Sequence, residues 1–149
     1  MSDEILGGAL AAIGRKERTV AEMRQWLADR EVDPGECERV IGYLTENLAL
    51  DDERFARAFT VDKRELSGWG NERIEQTLLG RGIASQLVRS ALQQEDGEGE
   101  VERAARLLGE KGVDLSDDRG RSRALGMLAR RGYGAEEAYA AIRRARPAA

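Results

Sequence analysis

An all-α chain made of three tandem three-helix repeats is predicted by three observations. The composition favours helices, helix start and stop signals recur along the chain, and one apolar pattern returns after 51 and then 50 residues. Of 149 residues, 41% are hydrophobic and 35% charged, with 2 Pro and only 5% aromatics. The charged share exceeds the roughly 25% usual in soluble domains, yet the apolar share is enough for a core. Scarce aromatics and prolines disfavour a β-sandwich, whereas Ala, Leu, Arg and Glu favour helices.

The elements follow in order. Thr19 and Glu22 form a capping-box pattern before Met23, Trp26 and Leu27, which share one helical face. Asp33-Pro34-Gly35-Glu36 is a strong start, with Asp as N-cap, Pro at the first helical position and Glu three residues after the cap. Cys37, Val40, Ile41 and Leu44 continue that helix at helical spacing. Asp51-Asp52-Glu53 opens the next, with acid at the positive end of the helix dipole and Phe55, Ala58, Phe59 and Val61 as apolar members. Asn71 is read as the cap of a helix carrying Ile74, Leu78 and Leu79, and Gly82 as its left-handed terminator. Ser85 is read as the cap of a helix with Val88, Ala91 and Leu92 inward. Ala104, Ala105, Leu107 and Leu108 mark a further helix, followed by a polar loop from Gly109 to Asp118. Ala124, Leu125 and Leu128 mark another, ended by Gly132, and the last runs from Ala135 to Ala145 with Ala138, Ala141 and Ile142 inward.

The repeat lies beneath these signals. Met23/Leu27 aligns with Ile74/Leu78 and Ala124/Leu128, then Val32 with Ile83 and Tyr133, and Cys37 with Val88 and Ala138. Val40, Ala91 and Ala141 follow, then Ile41, Leu92 and Ile142, without a gap. The implied units are residues 1–48, 49–95 and 96–149. Arg81-Gly82-Ile83 and Arg131-Gly132-Tyr133 are matching turns, whereas the first unit reads Arg30-Glu31-Val32 and lacks the glycine, so its hairpin is the least secure. Three small helices make a marginal core alone, so the units should stack into an elongated, curved array of either hand with a long binding face.

Enzyme chemistry finds little support. There is no His, the commonest general base and metal ligand. The single cysteine, Cys37, takes the register of Val88 and Ala138 and reads as a small buried hydrophobe. Asp51-Asp52-Glu53 is explained as an acidic first turn without a metal, and Gly68-Trp69-Gly70 lacks the strand and the Lys-Ser/Thr pair of a phosphate loop. No metal or cofactor is expected. A lone cysteine, an acidic N-terminus and no long apolar run suggest a cytoplasmic monomer away from membranes.

Basic residues are the best functional candidates. The net charge is −4, yet from Arg119 onward eight Arg face only Glu136 and Glu137. Lys63 and Arg64 end one helix before the Gly-Trp-Gly turn, Arg73 and Arg81 lie on the next, and Arg121, Arg123, Arg130, Arg131, Arg143 and Arg144 populate the last two. Arginine offers bidentate bonds to carboxylate or phosphate, although at a helix C-terminus it also offsets the dipole. Trp69 reads either as a buried wedge or as an exposed contact residue. The hairpins also admit a helix-turn-helix DNA-binding regulator, and a helical adaptor for another protein remains open.

One resemblance narrows the choice. The stretch Leu50-Asp51-Asp52-Glu53-Arg54-Phe55-Ala56-Arg57-Ala58-Phe59, then Gly68-Trp69-Gly70-Asn71-Glu72-Arg73-Ile74 and Leu78-Leu79-Gly80-Arg81-Gly82-Ile83, resembles the central signature of the RecX family. Ala9-Leu10, Arg15, Arg18, Leu27 and Val40-Ile41-Gly42-Tyr43-Leu44 fit the family's first repeat, and the similarity extends over residues 9–145. The resemblance implies a regulator, mainly an inhibitor, of the RecA recombinase. Such a protein lies in the groove of the RecA–DNA filament, restrains ATP hydrolysis and strand exchange, and so modulates DNA repair and the SOS response. RecA filaments, and with them single- or double-stranded DNA, are the implied partners. Two departures stand out: many relatives are basic whereas this chain is acidic, and Gly109 to Asp118 stands where the third unit would carry a Gly-Trp-Gly turn.

Overall fold

Helices form wherever capping and apolar spacing coincide. A computed structural model describes residues 3–94 and 98–146. Among these it has α1 (Asp3–Arg15), α2 (Val20–Asp29), α3 (Pro34–Glu46), α4 (Asp52–Leu66), α5 (Asn71–Gly80), α6 (Ser85–Gln93), α7 (Glu100–Glu110), α8 (Asp118–Arg130) and α9 (Ala135–Ala145), with no strand. The Thr19 capping box is formed in both directions, and Asp33 caps α3 with Pro34 in the first turn. Asp51 caps α4 by accepting from the Arg54 amide.

Several local expectations shift. Asn71 and Ser85 are the first residues of α5 and α6 rather than caps. The carbonyls of Gly70 and Ala84 accept the first helical amides there, from Ile74 and Val88. The expected loop after α7 is shorter, because α7 continues to Glu110. On α4 the buried positions are Phe55, Ala56, Thr60 and Arg64, while Ala58 is exposed, and on α5 Leu79 is exposed.

The repeat register largely matches the burial register, with Val32 and Leu92 only partly buried. Met23, Leu27, Cys37, Val40 and Ile41 are buried, as are Ile74, Leu78, Ile83, Val88 and Ala91, and Ala124, Leu128, Tyr133, Ala138, Ala141 and Ile142. The turn between the second and third helix of each repeat is also shared. Leu27, Leu78 and Leu128 each accept two turn amides, from Arg30 and Val32, Arg81 and Ile83, and Arg131 and Tyr133. This geometry needs a left-handed residue, supplied by Gly82 (φ 86°) and Gly132 (φ 95°). In the first repeat Glu31 adopts it at φ 58°, so the hairpin forms without its glycine. A side chain there costs about 1–2 kcal/mol. Glu31→Gly should therefore raise stability by roughly 0.5–1 kcal/mol, less than the full relief because glycine loosens the unfolded chain. A higher urea midpoint with unchanged slope is the measurement that checks it.

The chain forms two compact units, one of Met1–Ala56 with Leu78–Val88 and one of Arg57–Thr77 with Arg89–Ala149. The first is built on Ala9, Ala12, Met23, Leu27, Val40, Leu44 and Leu50. Cys37 is buried in this cluster, its thiol 3.4 Å from the Val32 carbonyl. The second is built on Ala104, Leu107, Leu108, Ala124, Leu128, Tyr133, Ala141 and Ile142.

Each unit contains one junction between successive repeats, and the two follow one plan. In the first unit the Arg81-Gly82 turn sits on the start of α2. The Thr19 hydroxyl donates to the Arg81 carbonyl at 2.8 Å. A Cβ on Gly82 would overlap the Ala21 methyl. Asp52 of α4 accepts the Val20 amide at 2.9 Å. In the second unit the Arg131-Gly132 turn sits on the start of α5. Gly70 donates to the Arg131 carbonyl at 2.7 Å and Glu72 to the Gly132 carbonyl at 3.0 Å. Glu100 of α7 accepts the Asn71 amide at 2.5 Å. At both junctions a carboxylate opening the next repeat meets an otherwise unpaired amide, at the positive end of the preceding repeat's central helix.

Candidate functional site

Five of the basic candidates take part in holding the fold. Arg64 is 4% exposed and donates to the Leu92 carbonyl at 2.7 Å and to Asn71 Oδ1 at 2.8 Å. Arg131 donates to the Ser67 carbonyl at 2.6 Å, beside the Tyr133 hydroxyl, which donates to the Gly68 carbonyl at 2.9 Å. Burial pushes the Tyr133 hydroxyl up to about 12. Arg121 donates to the Leu115 carbonyl and pairs with Asp118. Arg144 pairs with Glu102 at 2.7 Å. Arg81, in the first unit, makes a two-pronged pair with Glu22 at 2.9 Å on each prong, and lies over the Phe55 ring at 4.4 Å. Burial alone would raise the Glu22 carboxyl, but Arg81 and the Thr19 amide outweigh it and hold it below its usual value. Glu100 goes the other way: burial raises it, only partly offset by the Asn71 amide and Arg103.

The others lie on the second unit, where contacts link Lys63, Trp69 and Arg73 to the end of α8. Trp69 is half-buried, meeting Phe59 edge-to-face with centroids 6.1 Å apart. Arg73 lies 3.9 Å and Lys63 4.7 Å from the Trp69 ring centre, so the ring holds two cations in place. Arg73 also donates to the Arg130 carbonyl at 3.3 Å, which links this cluster to the end of α8. Arg130 and Arg123 are exposed and seven residues apart, hence on one helical face. Arg119, four residues before Arg123, extends the stripe. Arg119 belongs to the arginine-rich third of the sequence, and its i, i+4, i+11 spacing with Arg123 and Arg130 is the signal that places it on this face. Arg143 is exposed on α9. The surface can offer guanidinium forks to carboxylates or phosphates, positioned by a tryptophan rather than by loops. Among the described residues no group of His, Cys, Asp and Glu is arranged to hold a metal ion, and no helix is long and apolar enough to cross a membrane.

Comparison with known proteins agrees with the repeat structure. Residues 9–44 match the family model described as RecX, first three-helix domain, and residues 51–92 match RecX, second three-helix domain. The chain is 37% identical over 142 residues to the regulatory protein RecX of Deinococcus radiodurans, covering 95% of this chain and 68% of that protein. It is 36% identical over 143 residues to the regulatory protein RecX of Halorhodospira halophila, covering 94% and 87%. The crystal structure of RecX from Lactobacillus salivarius shares the fold, with a TM-score of 0.84 at 17% identity over 95% of this chain and 94% of that one. With two family domains matched in order and relatives above 30% identity along nearly its whole length, this chain belongs to the RecX family of regulatory proteins.

Proposed function

We propose that this chain regulates the RecA recombinase in the cytoplasm, as a non-enzymatic protein without a cofactor that binds the RecA–DNA filament and restrains its ATP hydrolysis and strand exchange. Membership of a family of regulatory proteins supports the reading at the coarse level. The observation that carries the finer one is the cationic surface of the second unit: Arg119, Arg123 and Arg130 along α8, continued by Arg73 and Lys63 around Trp69. On this reading the repeats 1–48, 49–95 and 96–149 act as successive contact modules. A ligand that touches several protomers at once favours whichever filament state presents them at the right spacing, and so opposes turnover.

A helix-turn-helix regulator fits less well. Recognition helices read bases with their N-terminal residues. The third helices of the first and last repeats open instead with acid, Glu36 in α3 and Glu136 with Glu137 in α9. The net charge of −4 also limits affinity for naked duplex DNA.

Fluorescence anisotropy of labelled protein separates these readings. Titration with RecA filaments on single-stranded DNA should saturate, whereas the same DNA without RecA should bind at least about tenfold more weakly at physiological salt. Equal binding to filament and to naked DNA would contradict the proposal.

A further inference from the structure

The first repeat carries a concave feature with an aromatic floor. A groove of about 670 Å³ runs between α1, the end of α2 and the start of α3. Its apolar floor includes Ile5, Trp26 and Val32. The positions equivalent to Trp26 are Thr77 and Met127, so the aromatic floor belongs to this repeat alone. Gly8 lines the groove beside Trp26, and a Cβ there would stand 3.3 Å from the indole edge, so the bare backbone gives the ring room. Arg30 lies 3.6 Å from the Trp26 ring centre and donates to the Trp26 carbonyl, which fixes the ring. The rim is acidic: Glu4, Glu31, Asp33 and Glu36 outnumber Arg15 and Arg30.

A feature of opposite character lies at the other end of the chain. Tyr139 of α9 is 53% exposed, against 2% for the core tyrosine, Tyr133. Arg143 follows it at i+4 on the same helical face, Arg146 stands just past the helix as its C-terminal cap, and both are exposed. Neither has an ion-pair partner among the described residues. An aromatic followed by two guanidinium groups matches an apolar groove with a carboxylate rim in both hydrophobicity and charge sign.

We propose that the groove receives α9 of a second copy of this chain, with Tyr139 on the Ile5–Trp26–Val32 floor and Arg143 and Arg146 against Glu4 and Glu31. The contact joins two different surfaces, so it is head-to-tail, and each copy keeps one groove and one α9 face available. This departs from the monomer expected from the sequence. The contact is small and polar at its rim, so it is weak in dilute solution and sensitive to salt. If the filament reading holds, copies lined along one filament meet at high effective concentration, and the same contact makes their binding cooperative.

Sedimentation velocity of the full chain without RecA tests the contact independently of that reading. From about 10 to about 500 μM protein at about 50 mM salt, the weight-average mass should rise steadily, and about 0.5 M salt should suppress the rise. Tyr139→Ala, and separately Arg143→Glu with Arg146→Glu, should weaken association by about tenfold or more while leaving helical circular dichroism unchanged. Glu4→Arg with Glu31→Arg should do the same. Mixing the two charge-reversed proteins should restore association, because each then meets a partner of opposite sign. A wild-type protein that stays monomeric throughout, or association unaffected by the reversals, or no recovery on mixing, would overturn the proposal.

Discussion

Gly132→Ala should destabilise the protein by about 2–5 kcal/mol. Two effects combine. Gly132 sits at φ 95°, where a side chain costs about 1–2 kcal/mol. The added Cβ would also lie 2.6 Å from the Arg73 backbone nitrogen and overlap the Arg73 Cβ. Backbone cannot swing aside like the end of a flexible side chain, and overpacking of this kind costs about 1–3 kcal/mol. Relief of the clash would have to separate the Arg131-Gly132 turn from α5, losing the Gly70 and Glu72 amide bonds to it. Gly112 provides the control. It too has a left-handed backbone, at φ 63°, yet a methyl group added there would meet nothing within 4 Å. Gly112→Ala should therefore cost only the backbone term, about 1–2 kcal/mol. Denaturant unfolding of both variants separates strain from packing, and equal losses would show that the junction is not tightly packed.

Arg119→Ala, Arg123→Ala and Arg130→Ala together should weaken filament binding by about 100-fold at low salt, with the deficit shrinking as salt rises. All three side chains are exposed on one face of α8, so stability should stay within about 0.5 kcal/mol of the parent at each site. The salt slope identifies the counter-surface. Contacts to three phosphates of single-stranded DNA would lower the magnitude of the slope of log K against log salt by about 2.1, whereas carboxylates on protein release no condensed counterions. Arg131→Ala serves as the contrast: its guanidinium is committed to the Ser67 carbonyl, so its main effect should be lost stability. Unchanged filament affinity in the triple variant would remove the α8 stripe from the contact.

Local chemistry made much of this fold legible in the sequence. The Thr19–Glu22 box, Pro34 at a helix start and Gly82 and Gly132 at turns each act within a few residues, and α9 runs from Ala135 to Ala145 as its apolar spacing predicts. The repeat was legible because most of the aligned apolar positions are buried in all three repeats, Val32 and Leu92 being only partly so. Contacts across junctions were not. Asp52 reaches Val20, Glu100 reaches Asn71 and Arg81 reaches Glu22, pairs 29 to 59 residues apart that carry no periodic signal. For the same reason Asn71 and Ser85 looked like caps, since their chemistry suits that role and only backbone geometry shows otherwise. The candidate site was legible as a concentration of arginine but not in its division of labour. Arg64 and Arg131 look like surface cations in one dimension, and only their bonds to distant carbonyls show them to be internal braces. Glu31 shows the converse: a turn without its glycine still forms, because the surrounding core outweighs about 1–2 kcal/mol of backbone strain.

On the proposed reading, this chain acts by restraining the RecA filament. The most direct measurement is the steady-state rate of DNA-dependent ATP hydrolysis by the cognate RecA as this protein is added to saturation. The rate should fall progressively, and the Arg119/Arg123/Arg130 triple alanine variant should reproduce the fall only at much higher concentration. A rate that stays constant once filaments are fully occupied would contradict that reading.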